Sequence, residues 1–189
     1  MLINEFFQNF PMEWDPIEFK PLSERDEILN EPLDCIRAIC LPPLDPNSAN
    51  RWTFFLSTSE VNMTAIRLNC GPSFSQDSTI LDDGSKAIIS FERRATLVPP
   101  ERELILTLSV HPGYTVGDIY DMIVVNNRHK FEIDNFAEDS RIWVHDQLQL
   151  FDIYGVFSDE DEIELAMESV NSRWPGDIPD PVEEGVYYG

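Results

Sequence analysis

The chain has 189 residues, a formal charge of −22 at pH 7, and 42% hydrophobic and 11% aromatic residues. Length and apolar content suffice for one domain with a real core, with or without tails. The acidic balance excludes nucleic acid and anionic membrane surfaces as partners, since both rely on Lys and Arg to neutralise them; it is read as solubility, or as an acidic face for a basic protein partner.

Residues 1–32 are rich in Pro and acid, with Phe6, Phe7, Phe10, Trp14 and Phe19 interleaved. Such a segment does not fold alone, yet five aromatics are too many to leave in water, so an arm over the domain or docked on a partner is expected. A single domain is expected over residues 33–174. Its first part reads as strands: Cys35 to Leu41, Trp52 to Thr58, Thr64 to Cys70, Ala87 to Leu97 and Leu104 to Val110. In Ala65-Ile66-Arg67-Leu68-Asn69, alternation sends Ile66 and Leu68 inward and Arg67 outward or into a cleft. Pro42-Pro43 and Pro99-Pro100 break the runs, and the Gly-, Ser- and Asp-rich stretch 71–86 reads as a mobile loop.

Helices follow. Thr115-Val116-Gly117-Asp118 is a capping-box-like start with Ile119, Met122 and Ile123 on one face. Asp139 or Ser140 caps a second helix carrying Trp143, Gln147, Leu150, Phe151 and Tyr154. Ser158 to Asp161 starts a third, with Ile163, Ala166, Met167 and Val170 as its apolar stripe. Residues 175–189 form an acidic, Pro-rich tail. Strands followed by helices predict an α+β fold: an antiparallel sheet of about five to six strands with two to three helices packed on it.

Chemistry-bearing motifs are few. Cys35 and Cys40 lie five apart in a strand, on opposite faces, so a bridge between them is disfavoured. No CxxC pair occurs and the three histidines are scattered, so neither a metal nor a cofactor is expected. The amino terminus lacks a signal-peptide layout and no apolar run approaches about 20 residues, which makes a soluble, cytoplasmic protein the expectation. The acidic run Asp159 to Glu162 lacks calcium-loop spacing and reads as acid loading at a helix start.

Two segments set a polar side chain beside a tryptophan at an element's start: Asn50-Arg51-Trp52 on a strand, and Asp139 to Trp143 on a helix. With Ala65 to Asn69 and Tyr114 to Ile119, they resemble a family of uncharacterised fungal proteins. Its usual pattern is Asn-His-Trp on the first strand and Gly-Cys-Arg-Tyr-Trp at the late helix. The resemblance covers roughly residues 35 to 155. That family is similar, at greater distance, to permuted papain-like folds, in which the His and Cys form a hydrolytic or acyl-transfer pair. Here Arg51 and Ser140 occupy those positions. An arginine stays protonated and cannot serve as a base, and a serine without a base is a poor nucleophile, so papain-type chemistry is not expected.

The leading expectation is a cofactor-independent cyclase or isomerase of fungal secondary metabolism, such as a Diels–Alder-type ring closure on a small apolar substrate. Such a reaction needs a shaped pocket and a donor polarising a carbonyl. Arg51, Arg67 and His145 are the candidate donors; Trp52, Tyr120, Ser140 and Trp143 are the candidate walls. The alternative is a non-catalytic binding protein, either a degenerate relative or an acidic partner of a basic protein. A hydrolase using His111 or His129 is a third reading. Each residue also has a plainer role: Trp52 and Trp143 as core, Arg51 paired with Asp45, Arg67 solvated, Ser140 as a cap, Arg141 paired with Asp139.

Overall fold

The computed structural model describes residues 14–135 and 140–189, so Phe6, Phe7, Phe10 and the Asp139 cap lie outside the described residues. The chain order is β1 (Ile17–Lys20), a 3-10 turn (Leu22–Glu24), α1 (Arg25–Asn30), β2 (Cys35–Leu41), β3 (Arg51–Ser59), β4 (Thr64–Asp77), β5 (Gly84–Arg94) and β6 (Leu104–Ser109). Then follow α2 (Val116–Val125), β7 (Glu132–Asp134), α3 (Ser140–Ile153), α4 (Glu160–Val170) and a short hairpin, β8 (Ser172–Arg173) with β9 (Ile178–Pro179).

The fold is α+β. One sheet runs β1-β5-β4-β3-β2-β6, antiparallel except for β1 against β5. β1 pairs with the Ile89–Glu92 stretch of β5 and β7 with its Gly84–Lys86 stretch, so two short strands cover one edge of β5 in tandem. Strand alternation then gives the sheet two unequal faces. The larger core gathers Ile36, Ala38, Trp52, Phe54, Leu56, Ile66, Leu68, Ile89 and Phe91 against Ile119, Ile123, Trp143, Phe151 and Ile163 of the helices. The smaller core, on the other face, is Ile39, Leu41, Phe55 and Ala65 under Leu97, Val98 and Ile105. Arg51, Thr53, Arg67 and Asn69 share the parity of that second face. No helix among the described residues is long and apolar enough to cross a membrane.

Three segments differ from the sequence reading. The stretch 71–86 is no open loop: β4 continues to Asp77 and β5 begins at Gly84, with an irregular register between Pro72 and Asp77. Backbone pairing needs no apolar side chains, so polar composition concealed the strand. The buried Glu132 carboxylate holds this hairpin, accepting from the Ser78 hydroxyl, from Thr79 N and Oγ1 at 3.1 and 2.7 Å, and from Ile80 N at 3.0 Å. Within residues 1–32, the described part contributes β1 and α1, and Phe19 stacks on Phe91 at 5.2 Å. The final residues fold back on the domain: Tyr187 packs on Phe131 and donates to Asp146 Oδ2 at 2.5 Å, while Glu132 N donates to Val186 O at 2.8 Å.

Helix starts follow local chemistry. At α2 the Thr115 hydroxyl accepts from Asp118 N at 3.2 Å and the Asp118 carboxylate accepts from Thr115 N at 2.7 Å, closing the capping box. Thr115→Ala is expected to cost about 1 kcal/mol, read as a shifted urea midpoint with an unchanged slope; no shift would mean that the box contributes nothing. At α4, Asp159 caps by accepting from Asp161 N and Glu162 N.

Candidate functional site: a cleft with two arginines

At the end of the sheet where β3 begins, Asn50 fixes the strand's entry. Its side chain accepts from Trp174 N at 2.8 Å and donates to Leu41 O and Trp174 O, each at 3.2 Å. The next residues, Arg51 and Trp52, point to opposite faces by strand alternation. The start of α3 is tied to the same place, because Trp52 N donates to Ser140 Oγ at 3.1 Å. Strand start and helix start therefore meet across 88 positions of sequence.

A cavity of about 260 Å³ opens here, bordered by Leu41, Leu44, Arg51, Trp52, Arg67, Asn69, Cys70, Gly71, Pro72, Phe74, Asn135 and Ser140. A second, of about 200 Å³, is bordered by Leu41, Pro42, Arg51, Thr53, Arg67, Pro99, Pro100 and Glu101. Leu41, Arg51 and Arg67 border both, so the two cavities are lobes of one cleft divided by the arginines. Phe74 reaches the first lobe from the irregular part of β4, with φ at 55° in the left-handed region that side chains rarely adopt. A bulge re-aims a side chain, and strain of this kind gathers at binding sites.

Both arginines are loosely held. Arg67 Nη2 donates to Asn69 Oδ1 at 3.2 Å, its Nε donates to Thr53 Oγ1 at 3.5 Å, and its Nη1 lies 4.0 Å from Glu92 Oε2. Glu92 is closer to Arg94, at 3.2 Å. Burial pulls the Arg67 pKa down, Glu92 offsets part of this, and the charges of Arg94 and Arg51 add to the lowering. Arg51 makes one long contact, Nη2 to Pro42 O at 3.4 Å, and its buried Nε has no hydrogen-bond partner among the described residues. No ion pair forms between Arg51 and Asp45, or between Arg51 and any other carboxylate of the described residues within 4.0 Å.

Of the residues singled out from sequence, the structure brings Arg51, Trp52, Arg67 and Ser140 to this cleft. Trp52 is 1% exposed, so it is a core residue whose edge forms part of the wall. The Ser140 hydroxyl is buried and accepts the Trp52 N–H, a structural tie between helix and strand. Three residues lie elsewhere. Trp143 is fully buried in the larger core, where its Nε1 donates to Arg128 O at 2.9 Å. Tyr120 packs on Phe19 and Phe91, with the Arg25 guanidinium 5.7 Å over its ring. His145 sits by Asp146, 4.0 Å from Oδ1. On one helix, positions two or five apart face different ways, so His145 follows neither Trp143 into the core nor Ser140 to the cleft. Arg141 is also structural: its Nη1 donates to Asp180 O at 2.6 Å and lies 3.2 Å from Asp180 Oδ2, which holds the segment before the C-terminus on α3.

The sequence reading missed Asn69, Pro72, Phe74 and Asn135. Asn69 carried a signal, since two residues after Arg67 on a strand is the same face. Pro72 and Phe74 lie in the stretch taken for a loop.

The model of a family described as Domain of unknown function (DUF7770) matches residues 39–188. No curated protein and no solved structure matches the chain.

Proposed function

This chain belongs to that family of unknown function, and from this premise we propose that it is a cofactor-independent cyclase or isomerase acting on a small molecule in the two-lobed cleft. The observation that carries the reading is the pairing of two loosely held guanidinium groups with apolar walls. Together the lobes come to the lower part of the range of small-molecule sites, about 300–1,000 Å³. Arg51 and Arg67 polarise an acceptor oxygen of the substrate, which stabilises negative charge developing there during rearrangement. Leu41, Leu44, Trp52 and Phe74 hold the carbon skeleton near its reactive shape. The setting we propose, fungal secondary metabolism, rests on the sequence resemblance alone. The distant papain-like relationship gains some support, since Arg51 and Ser140 border one cleft where the resembled pattern carries His and Cys. Hydrolysis is not proposed: Ser140 Oγ is buried and engaged by a backbone donor.

A second reading, a binding protein without catalysis, is favoured by the departure of Trp143, Tyr120 and His145 from the cleft. One experiment separates the two. The purified chain is incubated with small-molecule extracts of a strain lacking the gene, followed by chromatography and mass spectrometry. The cyclase reading expects a compound that changes retention at constant mass, a change lost with Arg67→Met of unaltered circular dichroism. Depletion of a compound by binding, with no isomeric product, would leave only the binder.

A further inference from the structure

We propose that the ligand of this cleft is an organic carboxylate, with its charged group between Arg51 and Arg67 and an apolar arm in each lobe. The inference rests on the reading of the cleft as a small-molecule site.

Charge placement is the first argument. The chain carries 35 acidic residues against 13 Lys and Arg, so a self-neutralising surface would give every arginine a carboxylate. Elsewhere the arginines follow this rule except Arg102, which donates to Pro99 O and Pro100 O: Arg37 contacts Glu60 at 2.8 Å, and Arg93 contacts Glu24 and Glu31 at 2.6 and 2.5 Å. At the cleft the rule fails. Arg51 has no carboxylate within 4.0 Å among the described residues, and Arg67 only approaches a Glu92 that serves Arg94 more closely. Glu101 borders the second lobe and pairs with neither. Two like charges sharing one wall repel, and the buried Arg51 Nε adds a donor with nothing to bond. A bound anion removes both costs.

Geometry selects the kind of anion. A carboxylate presents two oxygens in a plane, which matches the planar guanidinium fork. A bare inorganic anion would leave both lobes unfilled. Each lobe exceeds the about 150 Å³ that accommodates a benzene ring, and each has apolar walls: Leu41, Leu44, Trp52 and Phe74 in one, Pro42, Pro99 and Pro100 in the other. The acid therefore carries its carboxylate between two apolar groups and not at the end of one.

Diphenylacetate has that shape and serves as the probe. Titrated calorimetrically into the full chain, it is expected to saturate below about 1 mM, with phenylacetate weaker and the methyl ester of diphenylacetate weaker by about tenfold or more. Arg51→Gln is expected to lose about tenfold in affinity for the acid and nothing for the ester. Arg67→Lys is the companion variant, since it keeps the charge in the sheet while removing the fork, and it too weakens the acid. Three results would overturn the proposal: no saturation by the acid below about 1 mM, an ester that binds as tightly as the acid, or inorganic phosphate that binds as tightly as diphenylacetate. An ester equal to the acid would leave the carbonyl-polarising cyclase standing. Tight, arginine-dependent acid binding without any isomeric product would remove the cyclase and keep the carboxylate site.

Discussion

Replacing Trp143 with alanine is expected to lower the unfolding free energy by about 3–5 kcal/mol. The side chain is 0% exposed, meets Phe54 edge-on at 6.3 Å between ring centres, and stands beneath β3 in the larger core. Truncation would open a cavity that α3 and the sheet can close only by parting from their other contacts. It would also strip the Arg128 carbonyl of the 2.9 Å bond from Nε1. Against a typical total of about 5–15 kcal/mol, such a loss approaches the whole stability of a domain of this size. Urea unfolding followed by far-ultraviolet circular dichroism measures it. Trp143→Phe keeps most of the buried area and should lose about 1–2 kcal/mol. An alanine variant within 1 kcal/mol of the parent would contradict the assignment of Trp143 to the core.

The second large effect is expected at Glu132, 1% exposed, whose oxygens accept from Ser78, Thr79 and Ile80. Burial by itself raises the carboxyl pKa, but the hydrogen bonds from Ser78, Thr79 and Ile80 outweigh it, and the net shift is downward from 4.5. The folded state thus prefers the charged form. The stabilisation is fully present above the unfolded value of 4.5 and fades as pH falls through the lower folded value. Glu132→Ala leaves the hairpin donors without their acceptor and should cost about 2–4 kcal/mol near neutrality. The gap between parent and variant should hold constant from about pH 6 to 8 and narrow on acidification below the ordinary carboxylate value. A gap that widened toward acid would reverse the sign argued here.

The sheet and its helices were legible because burial imposes period: Ile66, Leu68 and Cys70 alternate with Arg67 and Asn69, β2 is a nearly continuous apolar run buried on both faces, and Ile119, Met122 and Ile123 recur at helical spacing. What periodicity could not reveal is pairing that leaves side chains in water. Phe74 to Asp77 carry no apolar alternation, with Ser75 N and Gln76 N donating to the Ser73 hydroxyl and Asp77 paired with Ser85, and β1 is too short to carry a pattern. The cleft was partly readable for a related reason. Arg51 and Trp52 open a strand and Ser140 opens a helix, and element ends are where side chains of both faces meet. Arg67 joined them through the β3–β4 pairing that sets Phe55 opposite it. Tyr120, Trp143 and His145 did not: Trp143 belongs to the buried stripe of α3, and where along the sheet each helix lies, which decides the residues that reach the cleft, is not encoded in periodicity.

The edge of β5 carries a further consequence. β1 and β7 cover it end to end, and β1 comes from a segment upstream of the residues 39–188 that match the family. A fragment trimmed to that match would lack β1 and the first half of β2. It would present the amides and carbonyls of Ile89–Glu92 uncovered, beside the apolar rings of Phe91 and Tyr120, as a template for intermolecular strand addition. The shortest useful expression boundary therefore lies before Ile17, because a piece trimmed to the match both opens this edge and removes Ile28, Ile36 and Ala38 from the larger core.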